Sequence, residues 1–128
     1  MREAITVPPS YYEITHSEIA SIRVFPTPEE TAMGAAREIV RMVQTNPSAA
    51  ITYATGETMI PVYAHLAQAV QGGEVSFAKT MGFHLDEYYP VGSESDFSFV
   101  SYLRQRVFDP LGIERANERQ GFRCYFLF

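Results

Sequence analysis

Two short segments carry residue types at spacings that can do chemistry. Thr55-Gly56-Glu57-Thr58 follows the apolar run AAITYA and precedes a stretch of helical period, which puts it between a strand's carboxyl end and a helix's amino end. Unpaired backbone N–H groups and the helix dipole favour an anion at such a junction. Gly56 lets the backbone approach closely, and the hydroxyls of Thr55 and Thr58 can donate to phosphate oxygens. The carboxylate of Glu57 repels a phosphate unless it turns outward, and a plain strand-to-helix turn with a threonine cap is the competing reading. The second segment is His84-Leu85-Asp86-Glu87-Tyr88, at the end of another apolar run. Acidic groups there stand at the rim where open α/β sheets bind ligands. Continued strand period would set His84 and Asp86 on one face, each able to influence the other's protonation, with Asp86 placed as a base that takes a proton beside a carbonyl. The competing reading has Asp86 and Glu87 bracing a loop and His84 as a satisfied core histidine.

The elements that must position these segments are legible in the pattern. Residues 1–20, with Pro8 and Pro9 adjacent, show no sustained period and read as an extended, irregular arm. A β-prone run at 21–25 stops at Pro26. Thr27, Pro28 and Glu30 then form a helix start of the capping-box kind, and Ala32, Ala35, Ala36, Ile39, Val40 and Val43 carry the apolar stripe to about Gln44. A strand is expected at 49–54, a helix at 59–71 with Pro61 in its first turn, and a strand at 80–85. Ser95 or Asp96 is the expected cap of a third helix, which buries Phe99, Val100, Leu103 and Val107 before Pro110 and Gly112 end it. Strands alternating with helices predict the α/β class: a parallel sheet with helices on both faces. Three strands make a thin sheet, which reads as an incomplete amino-terminal half. Residues 114–128 change character, becoming highly charged and then ending in the apolar run 124–128, and continue no strand-to-helix pattern.

Composition sets the outer bounds. The 128 residues suffice for one core, and 15 acidic against 10 basic side chains give a formal charge of −5 and no basic field for nucleic acid. No apolar run reaches membrane-spanning length, the first residues lack the pattern of a signal peptide, and a single Cys124 builds no disulfide framework, so a cytoplasmic setting is expected. His16 and His65 find no second ligand at a chelating spacing, so no metal is expected. Arg115, Arg119 and Arg123 repeat every four residues as a solvated helical stripe, and Tyr88, Tyr89, Phe97 and Phe99 read as local packing.

Taken together and in order, ATGETMIPVYAHL (54–66), VSFAKTMGFHLDEYYPV (75–91) and FSFVSYLRQRVFDPLGI (97–113) resemble the amino-terminal half of the glucosamine-6-phosphate deaminase (isomerase) family. The resemblance spans about 21–113. It implies a three-layer, Rossmann-like fold and a metal-free, cofactor-free conversion of glucosamine 6-phosphate and water to fructose 6-phosphate and ammonia. By the same resemblance Asp86 is the base at C2 of the opened sugar. Thr55, Gly56, Glu57 and Thr58 hold the phosphate, and His84, Glu87 and Tyr88 shape the pocket. The expected partner is a small-molecule sugar phosphate, with a second copy or a complementary half-domain completing the unit. Glu57 stands where the family more usually has Gly, Ser or Asn, and Met59 and His84 replace its usual proline and asparagine. The family's second-half segment G-x-G-x-D-G-H has no match in 114–128, so the expectation is a chain cut or frameshifted near Arg115 and inactive alone. Two alternatives stand beside it: a 6-phosphogluconolactonase-like hydrolase, disfavoured because lactonases read D-E-R where this chain has Asp86-Glu87-Tyr88, and a non-catalytic sugar-phosphate-binding half-domain.

Overall fold

The computed structural model describes residues 10–15, 18, 21–88, 90–92 and 94–120. Expectations placed on Pro8, Pro9, His16, Tyr89, Arg123 and the 124–128 run lie outside the described residues. The first long element forms as its sequence dictates. Helix α1 (Pro28–Thr45) opens at Thr27, whose Oγ1 accepts the N–H of Glu30 at 3.1 Å and donates to the Glu30 carboxylate at 2.9 Å. It closes at Asn46, whose N–H reaches the Met42 carbonyl. Its buried stripe of Ala32, Ala36, Val40 and Val43 shares the core with Val62, Leu66 and Ala69 of α2 (Ile60–Gln71), and Glu29 meets His65 Nε2 at 2.7 Å across the same pair of helices.

Two small sheets account for the strands. Strands β1 (Tyr12–Ile14) and β2 (Ile22–Val24) form an antiparallel ribbon, while β3 (Ala50–Tyr53), β4 (Met81–His84) and β5 (Glu118–Gln120) form a parallel sheet in that order. This corrects two expectations. The 21–25 run does form a strand, but its partner lies in the region read as an irregular arm rather than in the parallel sheet. The polar stretch after Glu114, expected to continue no pattern, makes a 3-10 turn at Arg115–Asn117 and then supplies β5 beside β4. Arg115 and Arg119 therefore share no helix. A three-residue strand has too few side chains to announce itself, and its pairing is decided by the neighbour it meets.

The third helical stretch also departs from a uniform helix. Ser98, rather than Ser95 or Asp96, is the cap of α3 (Phe99–Leu103), accepting the N–H groups of Val100 and Ser101. A π-helical turn (Arg104–Phe108) and the short α4 (Asp109–Leu111) complete it. The widening precedes Pro110, which has no N–H to donate and whose ring crowds the carbonyl four residues back. Gly112, at φ 69°, ends the stretch in the left-handed conformation that a Cβ disfavours.

This stretch seats on the sheet through Phe108, which is fully buried and lies edge-on to Tyr53 at 5.8 Å. Beneath it is Gly82, where a Cβ would stand 2.8 Å from the ring. Alternation along β3 and β4 places Ala50, Thr52, Met81 and Phe83 on the opposite face, and the first three of these are exposed. The described residues thus form a three-stranded parallel sheet with helices, an incomplete α/β domain of Rossmann-like kind. No helix among them is long and apolar enough to cross a membrane. Because a buried ring has nowhere to swing, Gly82→Ala is expected to lower stability by about 1–3 kcal/mol. Urea unfolding checks this, and an unchanged midpoint would show that the Gly82–Phe108 approach is not a tight one.

Candidate functional site

The parallel register of β3 and β4 decides where the two candidate segments emerge. Tyr53 is paired with His84, so Ala54–Thr58 and Leu85–Tyr88 leave the sheet side by side at its carboxyl rim. After β3 the chain reverses through Gly56, whose φ of 112° and ψ of 157° belong to a region essentially reserved for glycine. A 3-10 turn (Glu57–Met59) then leads into α2. Thr55 is half-buried, while Gly56, Glu57 and Thr58 are exposed, which leaves the Glu57 carboxylate in water.

Two tyrosines that the sequence reading did not assign to the site hold this loop. Tyr63 of α2 donates its hydroxyl to the Ala54 carbonyl at 2.5 Å, and Tyr102 of α3 donates to the Gly56 carbonyl at 3.2 Å. Burial pushes the Tyr63 phenol up to about 12, with the neighbouring Tyr102 adding to the effect and the Ala54 hydrogen bond opposing it. Tyr63 therefore remains a donor throughout the neutral range. In sequence Tyr63 is one more position in an apolar stripe, and no pattern distinguishes a tyrosine that only packs from one whose hydroxyl reaches a carbonyl.

On the second segment the expected pairing of His84 with Asp86 takes a different form. Strand β4 ends at His84, and the period that would set both side chains on one face stops with it. The buried imidazole instead reaches the Asp86 backbone oxygen, Nδ1 to O 3.2 Å, and since a carbonyl only accepts, this bond needs the proton on Nδ1. Asp86 is half-buried at the rim. Tyr88 is 43% exposed and rests on Phe99 with ring centroids 4.5 Å apart. Phe97, expected to pack locally, is 81% exposed.

Glu87 has a clear structural task. Its carboxylate accepts the Ser98 hydroxyl at 2.6 Å, the N–H groups of Phe99 and Val100 at 2.9 and 3.2 Å, and its neighbour Tyr88's N–H at 3.0 Å. It is a second acceptor for the first turn of α3, beside Ser98 itself. Burial raises its proton affinity, but these four hydrogen bonds outweigh that and hold the carboxyl below its ordinary value of 4.5. The sequence-predicted pocket residues thus divide: Glu87 anchors a helix, while Asp86 and the 55–58 loop face the rim.

No protein-family model matches the chain. Over 91 residues it is 38% identical to a glucosamine-6-phosphate deaminase of Hahella chejuensis, covering 71% of this chain and 35% of that one. A glucosamine-6-phosphate deaminase of Streptomyces coelicolor is 38% identical over 79 residues, 62% of this chain and 30% of the relative. Among solved structures, a monomeric glucosamine-6-phosphate deaminase superposes with a TM-score of 0.70 at 28% identity, covering 73% of this chain and 39% of that one. The chain is a partial, glucosamine-6-phosphate deaminase-like family member. It spans about a third of the length of the curated relatives it matches. These relatives do not favour the lactonase alternative.

The capping role of Glu87 carries a pH dependence. A carboxyl held low in the fold contributes stability that is fully present above its ordinary value and lost as pH falls through the folded one. Glu87→Gln is therefore expected to lower the unfolding midpoint at neutral pH, with the gap from the parent closing as pH drops below 4.5. Denaturant unfolding across that range checks it, and a gap independent of pH would contradict it. Ser98→Ala, removing the other cap, is expected to cost about 0.5–2 kcal/mol in the same assay.

Proposed function

We propose that this chain carries the phosphate loop and the proton-abstracting carboxylate of a glucosamine-6-phosphate deaminase, which converts glucosamine 6-phosphate and water to fructose 6-phosphate and ammonia. The observation that carries the proposal is the register of β3 on β4, which brings Thr55–Thr58 and Asp86 to the same rim of the sheet. An anion-binding loop beside a carboxylate suits a substrate with a phosphate at one end and an acidified C–H at the other.

The chemistry follows from those roles. The phosphate is held by loop N–H groups and by the Thr55 and Thr58 hydroxyls, without a cation from within the loop. That anchor fixes the opened sugar so that C2 lies against Asp86. The Asp86 carboxylate takes the C2 proton, the electron pair passes toward C1 as the enol forms, and returning the proton to C1 leaves an imine at C2. Water adds to that imine and ammonia leaves, giving the ketose. His84, bonded to the Asp86 backbone, steadies the position of the base rather than sharing its proton.

Two experiments test this reading. Although the lone chain is not expected to complete the deamination, in deuterated water it is expected to exchange the C2 hydrogen of glucosamine 6-phosphate, a step that needs only the phosphate anchor and the base, and Asp86→Asn is expected to slow that exchange about 10²–10⁴-fold. Exchange that survives Asp86→Asn, or none with the parent chain, removes Asp86 from the role. Glu57→Gly is expected to tighten glucosamine 6-phosphate binding several-fold at low salt, the gain shrinking as salt screens the lost carboxylate. Calorimetry at two ionic strengths checks this, and unchanged affinity would place the phosphate away from residue 57.

A further inference from the structure

We infer that Tyr102 is a positioning residue for the phosphate loop: by holding the Gly56 carbonyl it turns the Glu57 N–H outward, toward the bound anion. The inference rests on the reading of residues 55–58 as the phosphate site and names what keeps that site in shape.

The geometry runs through the peptide planes. Tyr63 and Tyr102 take the carbonyls of Ala54 and Gly56, alternate residues on either side of Thr55. In a trans peptide the C=O of one residue and the N–H of the next point in opposite directions. With those two carbonyls turned to the phenols, the N–H groups of Thr55 and Glu57 point away from them. Among the described residues no acceptor takes either N–H. At φ 112° Gly56 has no Cβ to resist another orientation, so the peptide following it needs an outside restraint. The N–H of Met59 also reaches the Gly56 carbonyl, at 3.2 Å, but it belongs to the same turn and moves with it. Tyr102 supplies a restraint from a different element.

That element is also tied to the second segment. One turn before Tyr102, the start of α3 is bonded to the Glu87 carboxylate, next to Asp86. The Arg106 guanidinium lies 5.3 Å from the centre of the Tyr102 ring and steadies it further. Helix α3 therefore links the phosphate loop to the chain that carries the base, with Tyr102 as the contact on the loop side.

Tyr102→Phe removes the hydroxyl and keeps the ring. In the 128-residue chain it is expected to leave the thermal midpoint unchanged, to speed amide hydrogen exchange at Glu57, and to weaken glucosamine 6-phosphate binding about three- to tenfold, with the same loss for inorganic phosphate. If the parent chain binds and Tyr102→Phe matches it in affinity and exchange, the positioning role is overturned while the phosphate loop stands. If weaker binding comes with a matching fall in the thermal midpoint, Tyr102 is a stabilising contact and the inference is again overturned. If the parent chain binds neither ligand, the phosphate reading itself fails, and the inference with it.

Discussion

The parallel ladder between β3 and β4, with Tyr53 opposite His84, brings both strands to one rim. A slip of one residue would turn each side chain of a strand to the other face of the sheet. The register is held by packing on one side. Gly82 leaves room for Phe108, and Phe108 in turn meets Tyr53, so the two strands share one buried ring. A bulkier residue at 82 or a smaller one at 108 would loosen the same joint. The chemistry proposed for the rim depends on this joint because neither the loop nor Asp86 has a rigid element of its own.

What the ladder brings together, α3 keeps in place. Its first turn is tied down by Ser98 and Glu87, and its Tyr102 reaches the Gly56 carbonyl. Glu87 illustrates how a residue next to a proposed base can serve structure. Its oxygens are occupied by one hydroxyl and three backbone N–H groups, so it holds the helix that borders the site. On the opposite face of the sheet Ala50, Thr52 and Met81 are exposed.

Much of this was legible in the sequence because the signals were local. The Thr27–Glu30 pair and the stripe from Ala32 to Val43 define α1 without outside help, and the apolar runs ending at Tyr53 and His84 define two strands of the parallel sheet. The loop and Asp86 stood out because strand-to-helix junctions and acidic rims have recognisable chemistry. What escaped was settled by partners distant in sequence. Ile22–Val24 looks like any short strand, and nothing in it says that Tyr12–Ile14 is its neighbour. Glu118–Gln120 is wholly polar, so no apolar run marks it as part of a sheet. Ser98 won the cap over Ser95 and Asp96 because Glu87, eleven positions earlier, meets it there. The bonds of Tyr63 and Tyr102 to loop carbonyls are likewise tertiary facts.

The central claim is that the 55–58 loop and Asp86 form one site for one molecule. A crystal structure of the chain with glucosamine 6-phosphate tests it most directly. The expected result is a phosphate accepting from the Thr55 and Glu57 N–H groups, with C2 of the sugar facing the Asp86 carboxylate. A sugar phosphate seated elsewhere, or one anchored on the loop with C2 turned away from Asp86, would contradict it.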